Sequence, residues 1–91
     1  MNIPKRLKIG GQKVKVIEKR LIDVDSEHSG GTADWERNEI VIASDMPQDR
    51  RECALLHEII HMINVYLPEE EVTYLSEALY QVLHDNKLLS K

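Results

Sequence analysis

The sequence predicts a small α+β domain: a short antiparallel or mixed sheet packed on a helix that carries His-Glu-x-x-His and on a C-terminal helix that follows it. Three observations predict it. Near the N-terminus Leu7, Ile9, Val14 and Val16 alternate with lysines, the period of a half-buried strand. Around Ala54-Leu55-Leu56-His57-Glu58-Ile59-Ile60-His61-Met62-Ile63-Asn64 the apolar spacing becomes helical. Beyond Leu67-Pro68 a third stretch places Val72, Leu75, Ala78, Leu79, Val82 and Leu83 on one helical stripe. Strands followed by helices, without alternation of the two, make an α+β rather than an α/β arrangement.

Taken in order, residues 7–21 read as two short strands joined at Gly10-Gly11, or as one strand with a bulge, with the lysines facing water and blunting a sheet edge. Residues 23–38 are polar and turn-rich around Ser29-Gly30-Gly31 and read as a loop or irregular hairpin. His28 in this stretch is a candidate extra metal ligand, and Trp35, the single tryptophan, is expected to cover one end of the core. Ile40-Val41-Ile42 is a β-branched strand ended by Ser44-Asp45. Pro47 suits a first helical position and Asp49 and Glu52 favour a helix N-terminus, so a helix is expected over 47–65 and is broken by Leu67-Pro68. The last helix runs from about 68 to 85 and packs on the previous one through its apolar stripe. Residues 1–6 and 87–91 are left as fraying ends of one 91-residue domain.

Hydrophobic content of 42% and charge of 31% describe an ordinary globular chain. Twelve basic and sixteen acidic residues give a net charge of −4, with no basic block beyond Lys5-Arg6-Leu7-Lys8, so neither nucleic acid nor an anionic membrane is expected as a partner of the surface as a whole. The single Cys53 cannot close an intramolecular disulfide and no signal-peptide core precedes the strands, so a cytoplasmic location is expected.

His57 and His61 stand one turn apart on one helix face, so both imidazoles can reach one ion at roughly 2.0–2.1 Å. Glu58 lies about 100° round the helix and suits a general base acting on water. This is a zinc-hydrolase signature: the metal polarises a carbonyl and lowers the pKa of water, and the carboxylate takes the proton. A catalytic zinc usually has a third protein ligand. A histidine six residues after the second is ruled out, because Leu67 stands there. Acidic residues of the next helix remain: Glu69, Glu70, Glu71 and Glu77. A tight reversal after His61 favours Glu69–Glu71 over Glu77, and periodicity alone selects Glu71, one turn before Leu75.

Leu56-His57-Glu58-Ile59-Ile60-His61, Glu69-Glu70-Glu71-Val72 and Leu79-Tyr80-Gln81-Val82-Leu83-His84-Asp85-Asn86 together resemble small phage- and prophage-borne metallopeptidase-like proteins related to the ImmA/IrrE and minigluzincin groups. The resemblance spans residues 31–86. It implies a zincin-like fold, a cytoplasmic setting that is the host's if the protein is phage-borne, and a third ligand supplied by a glutamate of the helix after the motif. The family pattern of Glu, any residue, Val, two residues and Leu falls on Glu70, Val72 and Leu75, which implies Glu70 as that ligand, with Glu71 second.

Three accounts of function follow. The first is a zinc-dependent metallopeptidase acting on a peptide or protein substrate, with zinc on His57, His61 and Glu70 and Glu58 as general base. The second is a protein whose zinc is structural, and the third a phage regulatory or interaction module whose inherited site is latent. An oxyanion-stabilising group is not marked by any motif; Tyr66, Tyr74, Tyr80 and His84 are the candidates. The strand at Ile40–Ile42 is expected near the cleft, where a sheet edge would bind extended peptide.

Overall fold

Gly10 and Gly11 have φ values of +57° and +87°, the two consecutive left-handed residues that a tight turn between antiparallel strands requires. In the computed structural model, which describes residues 1–20 and 30–89, that turn joins β1 (Arg6–Ile9) to β2 (Gln12–Lys19), with Ile9 opposite Gln12 and Arg6 opposite Lys15. The two-strand reading of the N-terminal alternation is the one observed. A second hairpin links β3 (Gly31–Asp34) to β4 (Glu39–Ala43). Its turn is held by Asp34 Oδ1, which accepts the backbone N–H groups of Glu36 and Arg37 at 3.1 Å each, and by Asn38 in the left-handed region at φ 53°.

β4 then runs parallel to β2, with Val16 opposite Ile40 and Glu18 opposite Ile42, so the sheet is mixed, in the order β1-β2-β4-β3. Ile40–Ile42 is therefore interior, flanked on both sides, and the edge strand on that side of the sheet is β3. Val14, Val16, Ile40 and Ile42 point to one face and close the core with Ala54 and Leu55 of α1 (Gln48–Ile63). α2 (Glu69–Asp85) packs on α1. It ends in two backbone bonds, Lys87 N–H to the His84 carbonyl and Leu88 N–H to the Leu83 carbonyl, with Lys87 left-handed at φ 59°.

One expectation is corrected. The apolar stripe of α2 does not face α1: Val72 is buried, but Leu75, Leu79 and Val82 are 43–46% exposed, and the second buried residue of the helix is Ser76. The helix is rotated so that Glu69, Val72, Ser76 and Tyr80 reach α1, three of them through polar contacts. At the N-terminus, where a fraying end is expected, Met1 and Ile3 pack on the core, the Lys5 carbonyl accepts Val16 N–H, and the Met1 ammonium sits 2.7 Å from Glu52 Oε2. No helix among the described residues is long and apolar enough to cross a membrane.

Candidate metal centre

The i, i+4 spacing places both motif histidines on the side of α1 that faces α2. His57 is buried at 4% exposure, His61 is half-buried, and their ring centroids are 4.9 Å apart. The chain reverses within residues 64–68, and α2 starts at Glu69, directly after Pro68. Glu69 spans the pair: its Oε2 is 3.0 Å from His57 Nε2 and its Oε1 is 2.8 Å from His61 Nε2. The three donor groups lie within 4.8 Å of one another, and a ring of two imidazole nitrogens and a carboxylate oxygen at that separation can hold a metal ion. Partial burial opposes ionisation of Glu69, but the hydrogen bond from His61 and the proximity of His57 outweigh it and hold the carboxyl below its ordinary range.

Glu70, the ligand implied by the family pattern, is exposed and does not meet the histidines, and Glu71 is exposed as well. The reason is rotational. Glu69 is three residues before Val72 and seven before Ser76, the two buried positions of α2, so it shares the face turned to α1. Glu70 is about 100° round from it, and the same rotation that exposes Leu75 also removes Glu71. His28 lies outside the described residues.

Glu58 is buried, 3% exposed, between α1 and the edge strand. A Cβ on Gly31 would stand 3.2 Å from Glu58 Cγ, so the absence of a side chain at 31 is what lets β3 lie over the motif helix. Trp35, at the end of β3, donates its indole N–H to the His61 carbonyl at 3.1 Å. It ties the edge strand to the helix and is half exposed, where a core lid was expected.

Two polar residues that no sequence motif signals complete the surroundings. Ser76, 1% exposed, donates its hydroxyl to the Thr73 carbonyl at 3.1 Å and has its Oγ 3.5 Å from His57 Nδ1, on the side of the ring away from Glu69. With its proton on the Thr73 carbonyl, the Ser76 oxygen keeps a lone pair towards Nδ1 and can accept from the tautomer in which Nε2 ligates a metal. Glu52 accepts the Tyr80 hydroxyl at 2.6 Å, which removes Tyr80 from the oxyanion candidates; burial and that bond push the ionisation of the Tyr80 phenol upward. His84 stands beside Tyr80 and bonds Asp85. Tyr66 and Tyr74 are widely exposed. Burial also pushes the Cys53 thiol up, which argues against a thiolate nucleophile. A cleft of about 440 Å³ between the helices touches His57, Ser76 and Glu77 but neither His61 nor Glu69, so it opens on the supporting side of the centre.

No protein-family model, curated protein or solved structure matches this chain.

Proposed function

We propose that the chain is a small zincin-like, zinc-dependent metallopeptidase that hydrolyses peptide bonds with Glu58 as general base. The observation that carries this reading is the convergence of His57 Nε2, His61 Nε2 and the Glu69 carboxylate within 4.8 Å, with the motif glutamate next to His57 in the same helix. His57, His61 and Glu69 would hold the ion. Bound there, zinc would supply Lewis-acid polarisation of the carbonyl and a water of lowered pKa. Glu58, as general base, would accept a proton on its carboxylate and return it to the departing amine. Ser76 keeps His57 in the ligating tautomer. The edge strand among the described residues on this side of the sheet, β3, would pair with an extended substrate by backbone hydrogen bonds.

The second reading is a zinc-stabilised regulatory module whose site is latent, and the depth of Glu58 favours it: at 3% exposure the base is shielded by β3. One experiment separates the two. Protein purified without chelator is expected to carry about one zinc per chain and to cleave members of a peptide library. Glu58→Gln should keep the zinc and lose about 10²–10⁴-fold in turnover. Full zinc with no cleavage by the wild type selects the latent module, and absence of zinc overturns both.

A further inference from the structure

We propose that the outer face of the β1–β2 hairpin binds the phosphodiester backbone of duplex nucleic acid. The inference is independent of the metal centre, which lies on the opposite side of the sheet. Leu7, Ile9, Val14 and Val16 turn inward to the core, so the alternating residues Arg6, Lys8, Lys13, Lys15 and Lys19 project from the other face, and all five are exposed. The antiparallel register sets Arg6 directly opposite Lys15 and Lys8 directly opposite Lys13. Like charges facing each other across a strand pair weaken it. Arg6, Lys8, Lys13 and Lys15 make no ion pair among the described residues; the carboxylate that register brings nearest is Glu39, opposite Lys15 on β4. Glu18, the one acidic residue of β2, turns to the inner side and bonds Arg51 of α1.

Protection of a sheet edge explains only part of this. Arg6 and Lys8 lie on the edge strand β1, but β2 is flanked by β1 and β4, so Lys13, Lys15 and Lys19 guard no edge. The cluster also runs against a net charge of −4, and the linear sequence conceals it: the only contiguous basic block is Lys5-Arg6-Leu7-Lys8, and the hairpin doubles it. The chemistry favours a polyphosphate over an acidic peptide. Exposed amine–carboxylate pairs contribute little in screened solvent. The same amines on a nucleic acid release its condensed counterions, a gain available only from a dense polyanion. The face is open, and neither β1 nor β2 carries an aromatic ring, so backbone contact without base reading is what it can provide.

The test uses the full chain and a labelled DNA duplex of about 20 base pairs, followed by fluorescence anisotropy across a salt series, with an RNA duplex and poly-glutamate in parallel. Micromolar binding is expected at about 20 mM salt, with a log–log salt slope between about −3 and −5 for four or five phosphate contacts. The double variant Lys13→Gln/Lys15→Gln should lose about tenfold or more in affinity and about two from the slope, whereas Arg50→Gln on α1 should change neither. Because the double variant removes like-charge neighbours, it should melt no lower than the wild type, so a lost signal is not lost folding. Binding should survive a chelator, which separates this outcome from the fate of the metal centre. No salt-dependent binding, binding indifferent to the double variant, loss of binding in chelator, or equal affinity for poly-glutamate would each overturn the proposal, the last in favour of an acidic protein partner.

Discussion

Glu69 and Glu70 are neighbours in sequence and about 100° apart on a helix, and that angle decides which can share an ion with His57 and His61. The geometry predicts that Glu69→Ala lowers zinc affinity by orders of magnitude, while Glu70→Ala and Glu71→Ala leave it within a few-fold of wild type. Competition with a chromophoric chelator reads this directly, and equal losses at 69 and 70 would refute the assignment. The sequence narrows the choice to an acidic first turn and no further, because helical phase depends on where the turn at residues 64–68 releases the chain. A one-residue change of start rotates every later side chain. His57, Glu58 and His61 need no such information, since their spacing within one helix fixes their faces. Ser76 carried no signal at all: a serine inside an apolar stripe reads as a weak core position until His57 Nδ1 is found 3.5 Å from its oxygen. Ser76→Ala should weaken zinc about 10–100-fold, the usual effect of removing a residue that orients a ligating histidine. Thr73→Ala, which keeps the accepting carbonyl, should not.

At the scale of elements, alternation and helical spacing located the β1–β2 hairpin, β4 and both helices to within a few residues, because those signals are local. Sheet order is not local. Nothing in Glu39–Ala43 says that it pairs in parallel with β2 and so takes an interior place, leaving β3, within a stretch that reads as an irregular hairpin, to serve as the edge beside α1. The consequence falls on Gly31. A Cβ there would meet the Val41 carbonyl oxygen at 3.0 Å, Ile42 Cδ1 at 3.1 Å and Glu58 Cγ at 3.2 Å. The Ile42 and Glu58 side chains can shift by a few tenths of an ångström, but Val41 belongs to the paired strand and moves only with the ladder. Gly31→Ala is therefore expected to cost about 1–3 kcal/mol of stability, as overpacking usually does, and to displace Glu58. If the metallopeptidase reading holds, the variant should keep its zinc and lose turnover. An unchanged urea midpoint together with unchanged turnover would mean that β3 does not press on the motif helix.

Over the whole molecule, Glu52 joins three parts of the chain through polar bonds, beside the apolar contacts of Met1, Ile3 and Val72. Its oxygens accept the Met1 ammonium at 2.7 Å, Gln48 Nε2 at 2.9 Å and the Tyr80 hydroxyl at 2.6 Å, linking the N-terminal segment, α1 and α2, whose apolar stripe faces solvent. Sequence reading assigns Glu52 to the start of a helix and sees only its favourable place near a dipole; the partners 51 positions before and 28 after it are visible only in the fold. Burial, the largest single influence, works against the charged form, but the three hydrogen bonds and the ammonium charge together bring the carboxyl from an ordinary 4.5 down to about 2. A depressed folded pKa means that the unfolded chain binds the proton first. The stabilisation is thus complete above about pH 4.5 and is lost as pH falls towards 2. Its size is on the order of 3 kcal/mol. Urea unfolding of wild type and Glu52→Gln should therefore differ by about that amount at neutral pH and converge as the pH approaches 2, while Tyr80→Phe, which removes one donor, should give a smaller gap in the same window. A difference between wild type and Glu52→Gln that stays constant from neutral pH down to 2 would show that the carboxylate charge is not what binds the two helices to the N-terminal segment.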